Sequence, residues 1–149
     1  MTYQLGKRSK DRLLGVDPRM VAVVEKAITI SEQDFSVICG LRTVKEQEAL
    51  VAKGASQTMK SKHLEGLAVD LMAYIDGGRW ELNLYDEIAD AIRKAAIELE
   101  VNVRWGAAWH KTLNEWDGTA EDLMNEYIDL RRSQGRRPFI DGPHFEIVE

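Results

Sequence analysis

The stretch Ser61–Gly77, SKHLEGLAVDLMAYIDG, poses a problem that the rest of the chain must solve. Leu67-Ala68-Val69 and Leu71-Met72-Ala73 read as a buried strand, yet Asp70 stands between them. A buried carboxylate without a partner is costly. Asp70 therefore demands a cation, either an Arg or Lys side chain or a metal ion. Side chains alternate along a strand, so Asp70 shares a face with Ala68 and Met72, while Leu71 and Ala73 point the other way. His63 lies just before the strand, in a loop that can fold over the Asp70 face.

The flanking segments set the fold class. Asp17-Pro18 opens a helix with an N-cap and a proline at the first helical position, followed by an apolar stripe of Met20, Val21, Val24, Ala27 and Ile28. DFSVICG reads as a short strand. Thr43-Val44-Lys45-Glu46 matches a capping box, and its helix runs to Gly54. The loop ASQTMKSKH leads into strand 67–75, which Gly77-Gly78 ends. Residues 84–100 carry apolar side chains at helical spacing. VNVRW is a further strand, Thr119 caps a helix ending near Gly135, and DGPHFEIVE closes the chain as a turn and a strand. Strands and helices mix without strict alternation, so the expected class is α+β, a small antiparallel sheet flanked by helices.

The totals exclude several function classes. A length of 149 residues suits one domain with its own core. A net charge of −5 argues against general nucleic-acid binding, and Arg131-Arg132 with Arg136-Arg137 reads as a solvated helix end. No apolar run approaches the roughly 20 residues of a membrane span, and MTYQLGKRSKDRLLG lacks the apolar segment of a secretory signal. No membrane insertion and a cytoplasmic location are expected. The one cysteine, Cys39, sits in an apolar run with no base adjacent in sequence, which suggests a buried, inert thiol.

The chain has three histidines, His63, His110 and His144. In the last strand His144 and Glu146 share a face, while Phe145 and Ile147 point into a core. If this strand neighbours strand 67–75, His144 can meet Asp70. Two histidines and a carboxylate form a ligand set used by catalytic zinc. Asp141, three residues before His144 across a Gly-Pro turn, suits either a general base or a turn-initiating residue. Arg42, between a strand and a capped helix, suits either a substrate carboxylate or oxyanion contact or a solvated ion pair.

Ser61, His63, Gly66, Ala68 and Asp70 together resemble the S-x-H-x-x-G-x-A-x-D signature of VanY-like, D-Ala-D-Ala carboxypeptidase-type zinc peptidases, and Asp141–Glu146, DGPHFE, resembles their second signature. RSKDRLLGVDPRMVAVVEKAI is similar to the N-terminal helix of the phage endolysin branch, GLRTVKEQEALVAKGAS to its next segment, and VRWGAAW to its Trp-Gly motif. The resemblance implies a hedgehog/D,D-peptidase-like fold, with residues 1–149 forming a single zinc peptidase domain without a separate cell-wall-binding domain. It implies Zn2+ bound by His63, Asp70 and His144, with Asp141 as catalytic acid/base and Ser61 and Arg42 as substrate or transition-state contacts. His110 has no assigned role. The implied activity is hydrolysis of the L-alanyl–D-glutamate bond in peptidoglycan stem peptides. The implied agent is a monomeric endolysin held in the host cytoplasm until a separate holin opens the membrane, then acting in the cell wall or periplasm. Two rivals remain: a D,D-carboxypeptidase that trims terminal D-Ala, and a non-catalytic peptidoglycan-binding module. The branch usually reads Trp-Gly-Gly, then Asp or Asn, then Trp. Ala107 and Ala108 depart from it, so strain at Ala107 and a missing polar contact at Ala108 are expected.

Overall fold

Asp17 accepts the backbone N–H of Arg19, and Pro18 starts the helix α2, Pro18–Ile30, as its sequence requires. A shorter helix, α1, Lys7–Arg12, precedes it. The segment that the resemblance treats as one N-terminal helix is therefore two, separated by a turn in which Gly15 has φ +84°. The computed structural model describes residues 2–56 and 58–149. The remaining elements are β1 (Phe35–Cys39), α3 (Val44–Ala52), β2 (Ala68–Tyr74), β3 (Gly78–Arg79), α4 (Leu82–Leu99), β4 (Val103–Trp105), α5 (Ala120–Ser133) and β5 (His144–Ile147). Two 3₁₀ turns, Lys62–Glu65 and Leu113–Glu115, complete the chain.

The architecture is α+β, as the pattern predicts. The sheet has five strands in the order β1-β2-β5-β4, with β3 added at the far end of β2, and its pairings are antiparallel. Gly77-Gly78 does not end the strand unit as expected. Asp76 and Gly77 both take positive φ, turn the chain back, and let Gly78 and Arg79 pair with Tyr74 and Ala73.

The alternation read from sequence decides what lies on each face of β2. Val69, Leu71 and Ala73 are fully buried in the core with Met20, Ile88, Ile92 and Phe145, and α2 and α4 pack against each other there. The opposite face carries Ala68, Asp70 and Met72. In β5, Phe145 and Ile147 enter the core as expected, but the His144 and Glu146 face is not solvated: both residues are buried. Arg104 on β4 lies directly across from Glu146 and pairs with it. Among the described residues no helix is long and apolar enough to cross a membrane.

Candidate metal centre

Strand register builds the centre. β2 and β5 pair with Asp70 opposite His144, and β1 and β2 pair with Cys39 opposite Asp70. Cys39, Asp70 and His144 thus form a row across three strands. His63 reaches the row from the 3₁₀ turn, whose start is fixed by Ser61 Oγ accepting the His63 N–H at 3.2 Å. The turn ends at Gly66, in the left-handed region with φ 72°. A Cβ on Gly66 would lie 2.7 Å from the Gly15 carbonyl oxygen. Gly66 is needed for this turn and this close approach.

Each imidazole is oriented by its other nitrogen. His63 Nδ1 donates to the Gly40 carbonyl at 2.8 Å, which leaves Nε2 facing Asp70 Oδ2 at 3.3 Å. His144 Nε2 is 2.8 Å from Glu146 Oε1, which leaves Nδ1 facing Asp70 Oδ1 at 3.3 Å. The two rings meet edge to face, with centroids 5.2 Å apart. His63 Nε2 and Asp70 Oδ1 are buried and make no hydrogen bond. One imidazole nitrogen thus faces each oxygen of the Asp70 carboxylate, and two nitrogens with a carboxylate are a donor set that fits zinc. Groups such as the Gly40 carbonyl and Glu146, which take the other ring nitrogen and fix the tautomer, are the usual companions of metal-binding histidines.

The electrostatics agree. Burial would lower the pKa of both imidazoles, but Asp70, with Cys39 for His63 and Glu146 for His144, raises them, His63 to about 10. Burial would raise the Asp70 carboxyl, but the two imidazoles hold it well below the usual carboxylate range. The pocket favours positive charge at its centre.

Asp141 joins the cluster: its carboxylate, Asp70 and His144 place ligand atoms within 4.8 Å of one another. Burial and the charge of Asp70 raise its pKa, against the pull of His144, His63 and Arg42. The Trp-Gly motif holds this loop. Gly106 exchanges backbone hydrogen bonds with Asp141 and His144 at 2.7 Å, and Trp105 Nε1 donates to the Gly142 carbonyl at 2.7 Å. A side chain on Gly106 would run into the Asp141 carbonyl. Ala107 is not strained, since its φ is not positive, and Ala107 and Ala108 are fully buried apolar residues.

Arg42 faces the cluster rather than solvent. Its guanidinium lies 3.5 Å from Asp70 Oδ2 and 3.3 Å from Cys39 Sγ, and it donates to Gln47 Oε1 at 2.7 Å. Cys39 is only partly buried, and it borders the cluster rather than lying apart in the core. Its sulfur lies 3.8 Å from His63 Nδ1, and His63 and Arg42 lower its pKa although burial opposes this. His110 is turned away, 2.8 Å from Glu126 and stacked on Tyr127.

Sequence reasoning missed Gln47, Cys39 and the Arg104–Glu146–His144 relay. Glu146 at two residues from His144 on one strand face was a legible signal. The fully buried Gln47, which also binds Ser56 and the Thr58 carbonyl, had none.

A profile of the phage L-alanyl-D-glutamate peptidase family matches residues 1–148. The chain belongs to this family. The L-alanyl-D-glutamate peptidase of Escherichia phage T5 is 31% identical over 153 residues, an alignment that takes in 99% of this chain and 100% of that protein. Among solved structures, the Serratia marcescens L-Ala D-Glu endopeptidase ChiX matches with a TM-score of 0.69 at 36% identity, covering 95% of this chain and 87% of ChiX. This peptidase family membership accounts for the order of the motifs along the chain.

Proposed function

We propose that this chain is a zinc-dependent endopeptidase that hydrolyses the L-alanyl–D-glutamate bond of peptidoglycan stem peptides, acting as a phage endolysin. The observation that carries the reading is that His63 Nε2 and His144 Nδ1 each face one oxygen of the buried Asp70 carboxylate at 3.3 Å, beside Asp141, in a chain of this family. His63, Asp70 and His144 would hold the metal. When bound, zinc polarises a carbonyl and makes water more acidic.

The chain's own groups supply the rest. Asp141, its pKa raised by burial and by Asp70, takes a proton from the attacking water and returns it to the leaving amine, so protons balance over one turnover. Arg42, steadied by Gln47, presents a guanidinium to the oxyanion that develops on the scissile carbonyl. Ser61 secures the turn that carries His63, and a substrate contact is assigned to it in this reading. We extend the reading to a monomer that a separate holin releases from the cytoplasm to the wall.

Metal content together with mass spectrometry of fragments released from purified peptidoglycan tests this. One zinc per chain and new D-glutamate amino termini are expected. Release of free D-Ala would indicate the carboxypeptidase instead. Absence of any product at full zinc occupancy would indicate a binding module.

A further inference from the structure

Beside the metal centre lies a cavity of about 450 Å³ that the mechanism does not use. Trp109 joins the two. Its ring packs on His144 with centroids 5.3 Å apart and on Phe139 with centroids 6.0 Å apart, and both Trp109 and Phe139 line the cavity. Phe139 is half exposed and precedes Asp141 by two residues. Arg131 and Arg136 line the same cavity. Gly135, with φ +70°, ends α5 in a left-handed turn in which the Arg136 N–H bonds the Arg131 carbonyl at 2.9 Å. That turn folds the second arginine back beside the first.

Two features separate this wall from an ordinary basic helix end. Among the described residues neither Arg131 nor Arg136 has a carboxylate partner. Buried nitrogens with no hydrogen-bond partner, Arg131 Nε and His110 Nδ1, sit on residues that line it. In a chain with a net charge of −5, such a pocket is matched to an anion with an apolar body.

We infer that this cavity binds the carboxylate-bearing, D-glutamyl side of the stem peptide, the part that leaves as the amine. The inference rests on the proposed peptidase reading. The L-alanyl side of the scissile bond continues through a neutral amide, whereas a glutamyl residue that is not amidated retains a carboxylate beyond the one used in the chain. The row Cys39, Asp70, His144, Trp109 therefore orients the substrate: the acyl side lies toward Arg42, and the amine side runs over Trp109 toward Arg131 and Arg136.

The test compares synthetic stem peptides whose carboxylates beyond the scissile bond are free or amidated, using the zinc-loaded full chain. Wild type should prefer the free acid by about tenfold in kcat/KM, mainly through KM, the scale of one charge-assisted contact. Arg136→Gln, at an exposed position, should collapse that preference to near unity. A preference that survives in Arg136→Gln and in Arg131→Gln would overturn the assignment and leave a solvated helix end. Binding of the D-glutamyl product peptide, followed by tryptophan fluorescence, gives a readout independent of turnover. Product binding that weakens about tenfold in Arg136→Gln supports the cavity even if no peptide were cleaved. Product binding that ignores Arg136 overturns it even if cleavage is normal.

Discussion

Glu146→Gln tests the centre through a residue that touches no substrate. Glu146 is buried, and its Oε1 lies 2.8 Å from His144 Nε2 while Oε2 pairs with Arg104 at 3.2 Å. Burial would raise its pKa, but the hydrogen bond and charge of His144, with Arg104, lower it, so it is a carboxylate at neutral pH. A hydrogen bond to a charged group contributes about 1.5–3 kcal/mol and a neutral one about 0.5–1.5 kcal/mol. Gln keeps an acceptor oxygen in place and loses the charge, so about 1 kcal/mol of support for His144 disappears, roughly a fivefold loss in zinc affinity. Glu146→Ala leaves Nε2–H buried and unpaired, and the loss should reach about 10–100-fold, the usual worth of an outer partner of a metal-binding histidine. Zinc affinity is read by competition with a chelator at pH 7.5, with a melt of the metal-free protein alongside. Excess zinc should restore turnover in Glu146→Gln, which a merely misfolded variant would not allow. Zinc affinity within twofold of wild type in both variants would refute the claim that Glu146 sets the tautomer and orientation of His144.

Asp141→Asn should retain zinc and lose turnover by about 10²–10⁴, as for a removed acid/base; a zinc-loaded variant working at the wild-type rate would sink the assignment. Asp86 gives a pH prediction. Burial, then the charges of Glu121, Asp90 and Glu87, raises its pKa from 3.8 to about 6. The folded state thus holds this proton more tightly, and the benefit present below pH 3.8 is lost as pH rises through about 6. That gap, at about 1.36 kcal/mol per pH unit, sets a ceiling of about 3 kcal/mol for the gain in Asp86→Asn at pH 7–8. Melts at pH 4 and pH 7.5 should differ in that gain; an equal effect at both would reject it. Thr43 accepts the Glu46 N–H while Glu46 accepts the Thr43 N–H, so Thr43→Ala should cost about 1 kcal/mol by denaturant melt. Gly66→Ala should destabilise the protein and weaken zinc binding together, because the left-handed turn and the Gly15 contact both resist a Cβ; an unchanged melt would contradict the need for glycine there.

What the sequence determined by itself is local. Asp17-Pro18 and the Thr43–Glu46 box formed the caps they encode, because a cap involves only residues within one turn. Alternation put Asp70 and Leu71 on opposite faces of β2 because the strand period is fixed at two. The candidate ligand residues and the order of the motifs were equally legible. The tertiary structure alone decided which strands are neighbours and in what register. Asp70 meets His144 because β2 pairs with β5 at that residue and not one step away, where every side chain would change face. The same non-local pairing brought Cys39 to His63, Arg104 to Glu146, and the Trp-Gly bracket to Asp141. The Arg131 and Arg136 wall needed both a local left-handed turn at Gly135 and the docking of α5 beside Trp109. Contacts between residues far apart in the chain depend on how whole elements pack, and no pattern within one element carries that information.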